Sequence, residues 1–413
     1  MAKLGGIGEA FSDRNFRIYS IGSVISWITY FIQTIAFSWA TWEASRSTTW
    51  LAVVSLLTVL ATILFIPLGG VLADRHDRFH MAMAAYACDA VKTVALTGLA
   101  LTDNLTLPVL CASAFLHGLI HSFSIPAAYG MMPRFVAREK LGAAIGVNAA
   151  YTQFAIFLGP AIAGWILIHW GLAAAFATNA VGYVIYFMTN SLLRTPPGYV
   201  QSRGAPMSVR QDLFAGARYI VGHRGLSALL LLVLAGDAVS MAVYQMMPAY
   251  SDLVLSMGAG GVSTLYSVAG VGATAAALWL AHGGTRRATP DNVLWAVSGI
   301  ALSIGLLAAA PSLGVAVIAM LLFGFSGETR RTATAALMQT SIDDIKRGRV
   351  MSTLFLFTQV AGGLGTALVG LVAQGAGLRI PMALAAVLLG VVWLVAIRNR
   401  KQISMSFQTG SSA

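Results

Sequence analysis

Long apolar runs, broken by short polar stretches, dominate the pattern of this chain. A helix needs roughly 20 apolar residues to cross a hydrocarbon layer about 30 Å thick. Twelve runs meet that length: 17–41, 51–73, 79–101, 107–131, 141–168, 172–193, 226–250, 261–281, 292–310, 313–339, 349–374 and 378–397. One longer polar connection separates the sixth run from the seventh. The pattern predicts an all-α membrane protein with twelve transmembrane helices in two six-helix bundles, at 1–193 and 226–397. A cytoplasmic linker occupies 194–225 and a cytoplasmic tail 398–413.

The linker opens with Pro196-Pro197. Beyond it, Ser208 and Gln211 have the spacing of a helix N-cap and its reciprocal partner. They predict an amphipathic helix whose apolar side is Val209, Leu213, Ala217 and Val221. Leu4, Ile7 and Phe11 suggest a short interfacial helix before the first span. The halves also repeat. At an offset of 206, Gln153 falls on Gln359, Gly159 on Gly365, Ala161 on Ala367, Gly164 on Gly370, Gly171 on Gly377 and Leu172 on Leu378. Two six-span halves of parallel topology are one way secondary transporters are built.

Charge fixes the orientation. If alternate loops lie on alternate sides, 21 of the 26 Lys and Arg residues fall on one side; Arg46 and Arg379 fall opposite, and Lys92, Arg330 and Arg331 fall inside spans. Basic residues gather on the cytoplasmic side of membrane proteins, so both termini are expected in the cytoplasm, with the chain in the inner membrane. That placement accounts for the net charge of +11 without invoking nucleic acid. A mean hydropathy of +0.76 and only 10% charged residues set the chain apart from soluble domains, which carry about 25%. Cys88 and Cys111 both lie within spans, so neither a disulfide framework nor a thiol metal site is expected. The polar start leads into a span too long for a signal-peptide core, so no cleavable signal is expected. Gly-x-Ser-x-Gly, His-Glu-x-x-His and Walker motifs are absent from the sequence, which argues against an enzyme and against ATP hydrolysis at a familiar site.

One loop carries a recognisable motif. After the second span comes Gly69-Gly70-Val71-Leu72-Ala73-Asp74-Arg75-His76-Asp77-Arg78. The glycines would let two helices approach closely. Asp74 could cap a helix N-terminus, and Arg75 and Arg78 could hold its carboxylate in a breakable ion-paired latch. This stretch resembles the cytoplasmic signature of the major facilitator superfamily, in the family's own position between spans 2 and 3, with Asp77 where Gly is usual. Its counterpart after span 8, Gly283-Gly284-Thr285-Arg286-Arg287, lacks the acid. The Asp-Arg-x-Asp-Arg form, the start Arg14-Asn15-Phe16-Arg17 leading to Ser26, and Trp42 and Trp50 before span 2 are similar to the siderophore and drug exporter branch. In span 5, Gly159-Pro160-Ala161-Ile162-Ala163-Gly164 resembles the exporters' antiporter motif, with Ala155 at its preceding Gly position.

Six ionisable residues lie inside spans: Asp89, Lys92, Asp237, Glu328, Arg330 and Arg331. Each would cost about 2.5–3.5 kcal/mol unpaired at mid-helix, so they should be paired or face water. At 1.5 Å per residue, Asp89, His117 and Asp237 each lie roughly 15 Å into their spans, near the midplane. Asp89 and Lys92, three apart, are read as a structural ion pair, and Glu328 with Arg331 as a supporting pair along one helix. Arg330 points away from both, towards a cavity. Ser113, His117, His121 and Ser124 share one face of span 4, where the histidines suit hydrogen bonding or protonation better than a metal. Asp237, Ser240 and Tyr244 form a stripe on span 7, and Ser23, Ser26, Tyr30, Gln33 and Thr34 mark span 1.

The resemblance implies that spans 1, 4, 7 and 10 line a central cavity. It further implies a proton-coupled exporter of a small organic molecule, such as a siderophore, a drug or a similar amphiphile, worked by rocking of the two halves. Asp237 is the first candidate for coupling or substrate contact, with His117, His121, Arg330, Glu328, Arg331, Tyr30, Gln33 and Tyr244 beside it. The expected partners are the substrate, a proton and the lipid bilayer, for a monomer that uses neither cofactor nor metal. An importer or facilitator on the same fold is the alternative. A non-transporting receptor fits less well, because the longest soluble stretch is about thirty residues.

Overall fold

The computed structural model describes residues 11–129, 136, 141–194, 217–222, 224–283, 287–341 and 344–400. The predicted interfacial helix at Leu4 and Ile7, the linker helix from Ser208 to Leu213 and the tail beyond 400 lie outside them; Ala217–Val221 fall in a helical segment at 217–222.

The described chain is helical throughout its elements. They are α1 (Arg14–Ser45), α2 (Thr48–Arg75), α3 (Arg78–Leu101) and α4 (Leu107–Tyr129). A continuous helical stretch, Leu141–Ser191, follows, broken at Gly171 (φ 74°, ψ −171°) into α5 (141–170) and α6 (172–191). Then come α7 (Arg224–Leu253), α8 (Gly258–Gly283), α9 (Pro290–Ala309), α10 (Leu313–Ser341), α11 (Asp344–Ala376) and α12 (Arg379–Arg398). Among the described residues, eleven stretches are long and apolar enough to cross a membrane, and the break at Gly171 makes one of them a pair of spans. Most helices overrun their predicted spans because the apolar criterion stops at the first charge, whereas backbone hydrogen bonding does not. Helices α2, α4, α5 and α7 continue through Pro67, Pro126, Pro160 and Pro248, so the turn between α5 and α6 comes from Gly171 and not from Pro160.

The chain forms two compact units. The first contains residues up to Ser45 and Leu57–Ala205; the second contains Arg46–Leu56 and everything from Pro206. Within the second unit, Arg46 pairs with Asp252, and Thr48 Oγ1 donates to the Gly370 carbonyl at 2.9 Å.

The duplication is visible in backbone detail. Gly171 and Gly377, 206 apart, both adopt φ 74° at the corners between α5 and α6 and between α11 and α12, a left-handed conformation that glycine enters freely. Gly118 and Gly324 are matched in the same way. A Cβ on Gly118 would fall 2.2 Å from the Thr58 carbonyl oxygen, and one on Gly324 would fall 1.9 Å from that of Ala269. Both glycines therefore set the closeness of an equivalent crossing, α2 on α4 and α8 on α10.

Each unit buries its own core. In the second unit, Ile220, Leu226, Leu229, Val233, Val293, Leu337 and Val350 form a continuous apolar cluster. Outward faces are equally apolar: Leu60, Leu64 and Leu68, one turn apart on α2, are each about half exposed, as are Leu364, Leu368 and Leu371 on α11. Large apolar faces without a protein partner suit a lipid environment.

Candidate functional sites in the two units

In the first unit, α3 supplies Asp89 and Lys92, spaced so that both side chains leave the helix on one side. Lys92 Nζ lies 2.5 Å from Asp89 Oδ1, and both residues are at least 94% buried. The pair is not closed on itself. Lys92 Nζ also lies 3.0 Å from His117 Nδ1 on α4, and Asp89 Oδ1 lies 3.4 Å from the same nitrogen. One turn on, the His121 ring stacks on His117 with centroids 5.7 Å apart, and the Tyr30 ring of α1 approaches His117 at 6.4 Å. Beneath, Thr93 Oγ1 donates to the Asp89 carbonyl at 2.8 Å. Gln33 Oε1 and Ser113 Oγ are buried without a hydrogen-bond partner. Of the predicted residues, Asp89, Lys92, His117, His121 and Tyr30 thus meet in one cluster.

In the second unit the charges join α7 to α10. The Arg330 guanidinium is 4% exposed, pairs with Asp237 and donates from Nη1 to the Val233 carbonyl at 3.3 Å. Its Nε is buried without a partner. The sequence places Arg330 towards a cavity; the structure turns it onto α7. Gly236 makes the room, since a Cβ there would fall 2.9 Å from Arg330 Nε. That glycine was not among the residues singled out from the sequence; its place beside Asp237 was the available signal.

Glu328 and Arg331 form the expected pair along α10, doubly bonded at 2.8 and 3.0 Å. Thr332 Oγ1 donates to Glu328 Oε1 at 2.6 Å. The Arg331 side chain is largely exposed and Glu328 is buried. Tyr244 sits between the rings of Tyr266 and Phe323, at 5.1 and 5.2 Å.

At the loop motif, Asp77 caps α3, accepting from the Phe79 and His80 amides at 2.8 and 3.1 Å. The carboxylate at the usual Gly position therefore satisfies amides that a helix start leaves open. Arg78 Nε donates to the Ala73 carbonyl at 3.3 Å, and Arg75 is exposed. The Asp74 side chain lies outside the described residues. The two glycines divide: a Cβ on Gly69 would fall 2.0 Å from the Ser122 carbonyl oxygen, whereas Gly70 has open space. Of the two motif glycines, only Gly69 serves the close approach of α2 to α4, which Gly118 supports from the other helix. In α5, Gly159 lies against Phe31 and Ile28 of α1, and Pro160 and Gly164 are buried.

Both cysteines are free, and no cluster of three potential metal ligands occurs among the described residues.

Comparison with known proteins agrees with this architecture. Residues 9–411 match the family described as transmembrane secretion effector. Enterobactin exporter EntS of Escherichia coli is 27% identical over 367 residues, covering 87% of this chain and 83% of that one. Macrolide efflux protein A of Streptococcus pyogenes is 27% identical over 226 residues, 54% of this chain and 56% of that protein. The chain therefore spans little more than half the length of this second relative. Among solved structures, a bacterial homologue of the human lysosomal transporter Spinster gives a TM-score of 0.72 at 13% identity, covering 99% of each chain. Nucleoside transporter NupG gives 0.71 at 11%, covering 97% of this chain and 100% of that one. At such identities they share the fold. The neighbours are transporters rather than enzymes, and the chain, a multi-pass membrane protein, belongs to the transmembrane secretion effector family of the major facilitator superfamily.

Proposed function

We propose that this protein is a proton-coupled secondary exporter of a small organic amphiphile, working by rocker-switch alternating access as a monomer in the inner membrane with both termini in the cytoplasm. The observation that carries the reading is a charge network within the spans of each unit, in helices that are otherwise apolar, with Asp89, His117 and Asp237 near mid-span by residue count. Intramembrane ionisable groups are costly, and where retained they mark substrate and proton paths. The efflux and export named for the two relatives support the outward direction.

In this reading the Asp237–Arg330 pair responds to substrate: a ligand that competes for either partner opens the pair and biases the unit's conformation. Glu328 and Arg331 hold α10 in register beside it. The loop motif stabilises one conformation through Asp74, Arg75 and Arg78. Replacing Asp74 with Ala should lower turnover several-fold without changing membrane insertion; unchanged transport would remove the latch from the scheme.

The deciding experiment uses purified protein in proteoliposomes with an imposed pH gradient, with a macrolide (erythromycin) and enterobactin as probes. Uphill movement of either probe against proton flow, abolished by a protonophore, is the expected result. Equal movement with and without the gradient would make the protein a facilitator. Accumulation in the same direction as proton flow would make it an importer.

A further inference from the structure

The buried Asp89–Lys92 pair meets a histidine nitrogen whose partners conflict. His117 Nδ1 lies 3.0 Å from Lys92 Nζ and 3.4 Å from Asp89 Oδ1. An ammonium offers only donors and a carboxylate only acceptors. If Nδ1 carries no proton, it accepts from Lys92, and Lys92 bridges Asp89 and His117. If Nδ1 carries a proton, it donates to Asp89, and its contact with Lys92, now between two donors, is lost. The geometry fits both arrangements, and in neither can Nδ1 accept from Lys92 while donating to Asp89.

We infer that His117 Nδ1, Asp89 and Lys92 form the proton-binding site of the transport cycle, and that proton uptake switches the partner of His117 Nδ1 from Lys92 to Asp89. The inference rests on the proton-coupled reading above. The step balances simply. A proton from solvent bonds to the Nδ1 lone pair of neutral His117, giving an imidazolium; the Asp89 carboxylate and Lys92 ammonium keep their charges. The triad passes from net zero to one positive charge, and no other bond is made or broken.

The surroundings suit a site that accepts one charge and then releases it. The groups facing His117 are His121 on its own helix, Tyr30 of α1, and Asp89 and Lys92 of α3; Tyr183 of α6 lies within electrostatic reach of Asp89. Asp89 is the one carboxylate among them, so it alone can neutralise an added proton. Once Nδ1 is protonated, Lys92 loses that acceptor. Two buried acceptors without partners stand close in the sequence to the cluster: Gln33 Oε1, one turn from Tyr30, and Ser113 Oγ, one turn from His117.

The test reads the proton directly. Full-length protein labelled with 15N-histidine is placed in lipid nanodiscs, and the ring nitrogens are followed from pH 5 to 9. His117 is assigned by its loss in His117→Gln and, independently, by its retention in His121→Gln. Nδ1 of His117 should change from an unprotonated to a protonated nitrogen within that range. Asp89→Asn should move the change to at least tenfold higher proton concentration, and Lys92→Met to at least tenfold lower. Opposite displacements show that Asp89 and Lys92 act on the same ring nitrogen from opposite sides.

A His117 Nδ1 that never changes state, or one that both variants displace alike, would overturn the inference even if wild-type vesicles show proton-driven export. Titration as described, combined with no response of erythromycin or enterobactin movement to a pH gradient, would leave the proton site standing and overturn its coupling role together with the exporter reading.

Discussion

In the first unit the buried charges join α3 to α4; in the second they join α7 to α10. The two units otherwise repeat each other closely. Gly171 and Gly377 turn the chain at matched corners, and Gly118 and Gly324 set matched crossings. Yet the offset of 206 carries His117 onto Phe323 and Ser124 onto Arg330. What duplication preserved is the backbone contact, where a side chain of any size would collide. What diverged is the chemistry of faces that can take many residues. A further difference lies in how each network closes: Lys92 has two polar partners from two helices, whereas Asp237 and Arg330 rely mainly on each other.

The largest effect should come from disturbing what the units share. Valine at Gly118 or at Gly324 would drive side-chain atoms into a neighbouring carbonyl, costing about 3 kcal/mol, the upper end of overpacking penalties. Both variants should melt well below wild type in detergent. A drop for Gly324→Val alone would show that the crossings are not equivalent.

Next comes the contrast between networks. Asp237→Asn leaves the Arg330 charge buried with one carbonyl, at a cost of about 1–3 kcal/mol after discounting for the partial exposure of Asp237. Asp89→Asn leaves Lys92 with His117 and should cost less. Melting temperatures should therefore rank wild type above Asp89→Asn above Asp237→Asn, and Arg330→Met added to Asp237→Asn should recover most of the loss. In vesicles, Asp237→Asn should also lose proton-driven export; full export by that variant would exclude Asp237 from coupling.

A smaller effect sharpens the comparison at the loops. Asp77→Ala removes the α3 cap and should cost about 1 kcal/mol. Asp291→Ala, which removes the partner of exposed Arg400 in the second unit, should leave the melting temperature unchanged within error, since exposed pairs contribute little.

The spans were readable because apolar length is set by the bilayer, and the corner at Gly171 because its repeat partner falls in the same place. The Glu328–Arg331 pair was readable because both residues sit on one helix at fixed spacing. The contacts between helices were not. Counting residues puts Asp89 and His117 at one depth, but rotation about each helix axis decides whether they meet, and packing of both faces at once fixes that rotation. For the same reason Arg330 could be placed opposite Glu328 without revealing that Asp237 lies in front of it.

The closed network around Lys92 also bears on how the chain is made. A newly synthesised α3 carries a carboxylate and an ammonium at mid-depth, each costing about 2.5–3.5 kcal/mol if it enters lipid alone. Self-pairing across three residues lowers that burden, but the ammonium finds its second acceptor only when α4 arrives. Helix α3 should therefore linger at the insertion machinery until α4 has emerged, and the two should pass into the bilayer as a hairpin.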